Sequence, residues 1–257
     1  MSGYSNFAKY YDRLQEAVGL PYGDIAELID RFIKRYSAEN EVVVDLACGT
    51  GNLSEKLNAL GYEVIGVDGS PEMLDIAQKK KEEKGLDITY LCQDMTELDL
   101  WGAADAVVCM LDSLNHLESE EALDKTIERV SMFTCDGGLF IFDVNTIWKH
   151  EKTLGTNCFV YELDDFMCVW QNELGQQFEV EITLDFFEKQ SDGRYERTTE
   201  VFCERGMAFL EAEKLVKKHG FEVIGVYSGF TDEEYSHSVA VHPDRVLYVC
   251  RRLPRDK

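Results

Sequence analysis

The sequence predicts an α/β chain built on a mostly parallel sheet, with a smaller antiparallel sheet inserted late. Three observations support this. Strand-like and helix-like segments alternate from residue 41 to residue 145. A glycine loop, Gly49-Thr-Gly51, sits where the first strand meets the helix that follows it. Finally, the apolar period changes from buried runs to strict alternation at Phe178, Val180, Ile182, Leu184 and Phe186, with Glu179, Glu181, Thr183 and Asp185 between them. At 257 residues, the chain buries a full core as one large domain carrying a modest insertion.

Two amphipathic helices come first. Tyr4, Phe7, Ala8, Tyr11 and Leu14 recur at helical spacing, as do Ile25, Leu28, Ile29, Phe32, Ile33 and Tyr36, giving a helical leader over residues 1–40. The core then begins with a strand over Glu41–Leu46, a helix over Leu53–Leu60 and a strand over Glu63–Asp68. The next helix is firmly bounded: Ser70 caps it, Pro71 takes the first helical position, and Gly85 follows its end near Lys84. Strands over Ile88–Cys92, Ala104–Met110 and Gly138–Val144, with a helix over about Glu120–Phe133, complete five parallel strands by residue 145.

The alternating segment marks a sheet with one solvated face, so residues 147–206 are expected as an antiparallel β insertion after the fifth strand. Three strands are predicted there, Phe159–Leu174, Gln177–Lys189 and Tyr195–Arg205, with Ser191-Asp192-Gly193 as a turn. A helix over Phe209–His219, closed by Gly220, and two strands, Phe221–Gly229 and Arg245–Arg252, return the chain to the main sheet as an antiparallel pair. The core is thus 41–146 with 207–257, a seven-stranded sheet in all.

Lys and Arg number 26 against 49 Asp and Glu, a formal charge of −23. Such a surface repels a phosphate backbone, which argues against nucleic acid as partner and suits solubility, a cationic substrate or a basic partner. None of the eight cysteines falls at C-x-x-C spacing, and no signal peptide is read at the N-terminus, so a reducing cytoplasm is expected. His150, His219, His237 and His242 show no metal-ligand spacing, and no metal is expected. The longest apolar runs, such as Gly138–Val144, fall far short of the roughly 20 residues of a membrane helix, so no membrane partner is expected.

The chemistry gathers at strand ends. Asp45, ending the first strand before Leu46-Ala-Cys-Gly-Thr-Gly51, is a carboxylate where an unpaired charge is costly and a cationic partner is expected. Asp68 ends the second strand at the offset where an acid accepts bonds from two ribose hydroxyls; it also suits a turn with Gly69 and Ser70. Asp94 follows the third strand, placed to accept an adenine amine with Met95 against the ring, or to cap a turn. Three acids on consecutive strand ends lie along the edge where open parallel sheets bind ligands.

With those residues in view, the chain resembles the class I S-adenosylmethionine-dependent methyltransferases, whose first motif is similar to Val43-Val-Asp-Leu-Ala-Cys-Gly-Thr-Gly51. The resemblance covers about Phe7 to Val144 and Phe209 to Leu253, and it implies a Rossmann-like fold with S-adenosyl-L-methionine as cofactor. It further implies cofactor contacts from Tyr11, Asp45, Ala47, Cys48, Gly49, Gly51, Asp68, Gly69, Met73, Asp94, Met95 and Leu111. Tyr11 and Asp12, in Phe7-Ala-Lys-Tyr-Tyr-Asp12, look like the leader motif that covers the cofactor in small-molecule members; the same stretch also reads as an apolar face packing on the domain. Ala106–Leu117 is similar to the fourth-strand motif of a bacterial subgroup that includes aminosugar N-methyltransferases.

Methyl transfer from a sulfonium needs an aligned nucleophile more than it needs a base. If a base acts, His116 and Asp112 are the nearest titratable candidates, although a histidine there also serves as a structural residue near a helix start. Asn115 and the insertion's Tyr161 and Trp170 are candidate acceptor contacts, because aromatic faces suit an amine. The insertion is expected as a substrate lid; its rings also suit a small core of their own or a dimer contact, and monomer and homodimer are both open.

Two other functions share parts of this pattern. An NAD-dependent oxidoreductase has the sheet, the loop and the second-strand acid, but Ser54 stands where its third glycine belongs and Asp45 has no counterpart there. A non-catalytic S-adenosylmethionine-binding regulator retains the pocket without the reaction.

Overall fold

The computed structural model describes residues 7–36, 41–235 and 242–255; Tyr4 and His237, named above, lie outside the described residues. In chain order the elements are α1 (Phe7–Val18), α2 (Tyr22–Tyr36), β1 (Val42–Leu46), α3 (Asn52–Ala59), β2 (Glu63–Asp68), α4 (Pro71–Lys84) and β3 (Ile88–Cys92). Then follow β4 (Ala104–Cys109), α5 (Glu120–Met132), β5 (Thr134–Asn145), β6 (Cys158–Leu163), β7 (Phe166–Leu174), β8 (Glu179–Lys189) and β9 (Tyr195–Arg205). The chain closes with α6 (Phe209–Lys218), β10 (Phe221–Ser228) and β11 (Arg245–Arg252).

Seven strands form one sheet in the order β10-β11-β5-β4-β1-β2-β3. β1 to β5 pair in parallel, and β11 runs antiparallel to both β5 and β10. Val43, Val44, Ala106, Val107, Val108 and Phe140 to Phe142 are fully buried, the reason these strands read as unbroken apolar runs. One face of the sheet packs on α5 and α6 through Leu123, Ile127, Val130, Ala212 and Val216, the other on α2 and α3 through Ile25, Ile29, Phe32 and Leu57. The strand order reverses between β1 and β4, so the loops leaving these two strands diverge and open a crevice at their carboxyl ends.

The insertion holds four antiparallel strands, β6-β7-β8-β9, not three. The expected single strand Phe159–Leu174 is a hairpin, with Leu163 paired to Phe166 across the two-residue turn Asp164-Asp165. Aspartate tolerates turn conformations, but without Gly, Asn or Pro this dipeptide is a faint signal.

One face of the four-stranded sheet receives α1. Tyr10 stacks on Phe186 at 4.8 Å and on Phe166 at 5.8 Å between ring centroids, and Phe7 lies 6.0 Å from Phe186. Much of the insertion's aromatic content therefore forms a core shared with the leader. No helix among the described residues is long and apolar enough to cross a membrane.

Candidate active site

β1 delivers Asp45 and then bends through Ala47, whose φ of +62° is a left-handed conformation unusual for a residue with a side chain. Gly49 and Gly51 follow at +55° and +79°. Gly51 is doubly required, because a Cβ there would stand 2.3 Å from the Tyr90 hydroxyl and 3.2 Å from Ala77. α3 starts immediately after this loop, directing its first amides back toward the crevice.

Asp45 is 2 % exposed and accepts a 2.5 Å hydrogen bond from the Ser54 hydroxyl. The residue that departs from the dinucleotide fingerprint is thus the one that orients the carboxylate. Burial pushes the Asp45 carboxyl up to about 7, with Asp68 adding to the rise against the bond from Ser54. Asp68 accepts from the Gly49 and Ser70 amides, both at 2.8 Å, and burial raises it too. One buried and one partly buried carboxylate beside one loop, both raised, fit a ligand that brings a positive charge and hydroxyl donors.

A narrow cleft lies here, bordered by Tyr11, Tyr22, Asp45, Ala47, Cys48, Leu53, Met110, Leu111 and Ser113. The leader is fastened over it. Asp12 accepts from the Thr50 hydroxyl at 2.6 Å and the Asn52 amide at 2.9 Å, and pairs with Lys80 at 2.6 Å. Burial works against the Asp12 charge, but Lys80 and Thr50 outweigh it and hold the carboxyl below its usual range. The Tyr11 hydroxyl lies 3.4 Å from that of Tyr22, and its ring comes within 3.9 Å of where a Gly49 Cβ would be.

Other expected cofactor residues take framework positions. Asp94 accepts from both the Thr96 amide and hydroxyl at 2.8 Å, capping a short turn over Met95–Glu97. Met95 packs on the main core and Met73 on the core shared by α1 and the insertion. Gly69 follows Asp68 with the Gln93 carbonyl 3.8 Å from its Cβ direction.

Across the cleft the chain leaves β4 through Leu111 and Asp112, both left-handed at φ +61° and +55°. Asp143 on β5 explains how this pair persists: its carboxylate accepts the Leu111 amide at 2.6 Å and the Asp112 amide at 2.9 Å. Arg245 on β11 clamps both acids, bonding Asp112 at 2.8 Å and ion-pairing with Asp143. Burial opposes the Asp112 charge, yet Arg245 and Lys149 hold its carboxyl well below the usual range; in Asp143 burial wins and the carboxyl is raised.

Residues absent from the sequence reading complete this end. Glu204 on β9 is 3 % exposed and accepts the Asn145 amide at 3.0 Å, while the same nitrogen donates to Asp112 at 2.6 Å. Lys149 donates to the Asn145 side-chain oxygen at 2.9 Å. His116 Nε2 lies 3.8 Å from Glu204 Oε1, and His150 Nε2 lies 3.7 Å from Glu204 Oε2. One ligand-capable atom each from Asp112, His116 and Glu204 falls within 4.8 Å of the others. Arg245 and Lys149 already supply two positive charges to the three carboxylates of this cluster. The histidine spacing was uninformative because the cluster joins residues scattered from 112 to 245.

The expected acceptor contacts are placed as follows. Asn115 is 1 % exposed; its amide donates to the backbone oxygens of Asn145 and Arg205 and its oxygen accepts the Asn145 amide, pinning β4, β5 and β9 together. Tyr161 and Trp170 pack at 6.4 Å between rings, and the Trp170 indole donates to Asn172 at 2.7 Å. Neither borders the cleft. The insertion reaches the turn after β4 instead through β9, where Phe202 meets the His116 ring at 5.3 Å.

The comparisons with known proteins agree with this construction. A methyltransferase domain family matches residues 43–138. A putative methyltransferase of Geobacillus sp. is 31 % identical over 251 residues, which is 97 % of this chain and 99 % of that one. The crystal structure of a S-adenosylmethionine-dependent methyltransferase from Clostridium acetobutylicum superposes with a TM-score of 0.86 at 29 % identity, covering 98 % and 99 % of the two chains. The sugar N-methyltransferase KedS8 of Streptoalloteichus sp. shares the fold, with a TM-score of 0.78 at 20 % identity over 95 % and 93 %.

The chain belongs to the class I S-adenosylmethionine-dependent methyltransferases. S-adenosylmethionine is its methyl donor and the seven-stranded sheet is the methyltransferase core. The dinucleotide oxidoreductase and regulator readings find no support in these relatives.

Proposed function

We propose that the chain methylates a small-molecule acceptor, an amine first among the candidates, in a cytoplasmic setting. The single observation that carries this is the continuity of the cleft: it runs from Asp45 and the glycine loop to Leu111 and Ser113, on either side of Asp112. In this reading Asp45 and the loop amides hold the methionine end, Asp68 the ribose, and Asp94 with Met95 the adenine. Residues 1–40 cover the cofactor, 41–146 and 207–257 form the core, and 147–206 close over the acceptor.

The bound donor supplies an electrophilic methyl group on a sulfonium. The chain's own part is to align an acceptor with it and exclude water, and alignment alone supplies much of the rate. Tyr11 roofs the cleft, Leu111 and Met110 form its apolar wall, and Asn115 fixes the turn that presents Asp112 and His116. The fold shared with a sugar N-methyltransferase supports an amine, and the formal charge of −23 supports a cationic or neutral substrate over a nucleic acid. Tyr161 and Trp170, set back from the cleft, are read as walls of the insertion that shape the acceptor's approach.

A labelled-methyl screen of the purified chain against amines, amino sugars, hydroxylated rings and small carboxylates tests the proposal. Label transfer to an amine is expected. Transfer only to protein or RNA in extracts would overturn the small-molecule reading.

A further inference from the structure

The His150 ring is fully buried, and its Nε2 has no hydrogen-bond partner. Its Nδ1 lies 2.8 Å from the Phe178 carbonyl, which only accepts, so Nδ1 carries the hydrogen and Nε2 presents a lone pair. That lone pair faces Glu204 Oε2 at 3.7 Å. An ionised Glu204 would set lone pair against lone pair in a buried space; a protonated one makes a donor and acceptor pair.

On its other side, Glu204 Oε1 faces His116 Nε2, whose side chain keeps 30 % of its surface open. The carboxyl therefore stands between one histidine with open surface, in the turn whose Ser113 borders the cleft, and one sealed inside. Both gaps, 3.8 and 3.7 Å, are a small side-chain adjustment longer than a hydrogen bond.

We propose that Glu204 is a proton-relay group for methyl transfer, coupling His116 at the acceptor to His150 in the interior. The inference rests on the methyltransferase reading of the cleft. As the acceptor's lone pair forms its bond to the methyl carbon, the sulfur–carbon pair returns to sulfur and the acceptor must lose a proton. That proton passes to His116 Nδ1, the Nε2 hydrogen of His116 passes to Glu204 Oε1, and the hydrogen on Glu204 Oε2 passes to His150 Nε2. One acceptor bond to hydrogen breaks, one bond to carbon forms, and one proton rests on His150 until the product leaves.

The surroundings suit such a rest position. Burial pushes the Glu204 carboxyl up, with Asp112 adding to the rise, so it holds a proton where an exposed glutamate would not. Burial lowers His150, so its imidazolium returns the proton when the cleft reopens. The charges facing the relay are Asp112 and His116 from the β4 turn, Asp143 from the end of β5, Lys149 beside His150, and Arg245 from β11. Glu204 acts through His116, so it is a positioning residue.

Nitrogen-15 histidine NMR of the full chain, saturated with S-adenosylhomocysteine, is the deciding experiment. In the wild type the His116 and His150 rings should titrate as a coupled pair. Glu204→Gln should uncouple them with unchanged S-adenosylhomocysteine affinity. With an acceptor from the methyl screen, Glu204→Gln should lower kcat about 100-fold and abolish the alkaline limb of its pH profile, where Glu204 loses the proton it relays, and Glu204→Asp should restore part of both.

Independent titration of the two rings in the wild type, which needs no variant to fold, overturns the relay. So does a Glu204→Gln protein with unaltered kcat and pH profile. Saturable Zn²⁺ binding that shifts both rings also overturns it, in favour of a metal site. Failure of the wild type to bind S-adenosylhomocysteine counts instead against the cofactor reading of the cleft.

Discussion

On the β1–β3 side of the cleft, every bond made by the acids is short in sequence: Ser54 to Asp45 spans 9 residues, Gly49 to Asp68 spans 19, and Thr96 to Asp94 spans 2. On the β4–β5 side they are long: Asn145 to Glu204 spans 59 residues, Arg245 to Asp143 spans 102, and Arg245 to Asp112 spans 133. Charge differs as well. The buried Asp45 and the partly buried Asp68 have backbone amides and a hydroxyl for company, while Asp112 and Asp143 share the Arg245 guanidinium. In the proposed reading the donor side therefore suits a positive charge from outside, while the acceptor side brings its own.

The largest effect should come from breaking that internal neutralisation. Arg245→Ala leaves the buried Asp143 and the partly buried Asp112 facing each other without their shared cation and should cost about 3 kcal/mol of stability in urea unfolding. A loss under about 1 kcal/mol would show that water reaches the cluster. Next is Asp68→Ala, which removes the acceptor of the Gly49 and Ser70 amides and, in the proposed reading, of the ribose; S-adenosylhomocysteine affinity should fall by one to two orders of magnitude, about 1.5–3 kcal/mol. Unchanged affinity by calorimetry would remove Asp68 from the cofactor site.

The third prediction concerns pH. The Asp45 carboxyl, raised from 3.8 to about 7, keeps a proton in the fold that the unfolded chain has released. Its contribution to stability therefore declines as pH rises from about 4 to 7. Pairing with the ammonium of a methionine group needs the ionised form, so affinity should move the opposite way, about tenfold tighter at pH 8 than at pH 6. Asp45→Asn should flatten both trends. Smallest is Ala47→Gly, which relieves the left-handed backbone at φ +62° and should add about 0.5 kcal/mol with affinity unchanged.

The same contrast explains how far the sequence could be read. α4 is legible to the residue, because Ser70, Pro71 and Gly85 act locally: the Ser70 hydroxyl accepts the Met73 amide at 3.2 Å and Gly85 sits at φ +64°. Asp45 and Asp68 were visible because a strand end and a glycine loop specify their surroundings within a few residues. Glu204 was not, since Glu200-x-Phe202-x-Glu204 reads as an ordinary alternating strand, and only the docking of β9 against the β4 turn buries it. The β6–β7 hairpin escaped because Asp164-Asp165 lacks a residue that demands positive φ.

α1 sits between the two regions. Asp12 fastens one side to Thr50, Asn52 and Lys80, while Lys9 pairs with Glu188 at 2.6 Å, and Arg13 with Asp165, on the insertion. A single helix thus touches both the loop proposed to receive the donor and the sheet proposed to close on the acceptor. Substituting Asp12 should therefore release the leader from the glycine loop while its pairing with the insertion, through Lys9 and Arg13, remains.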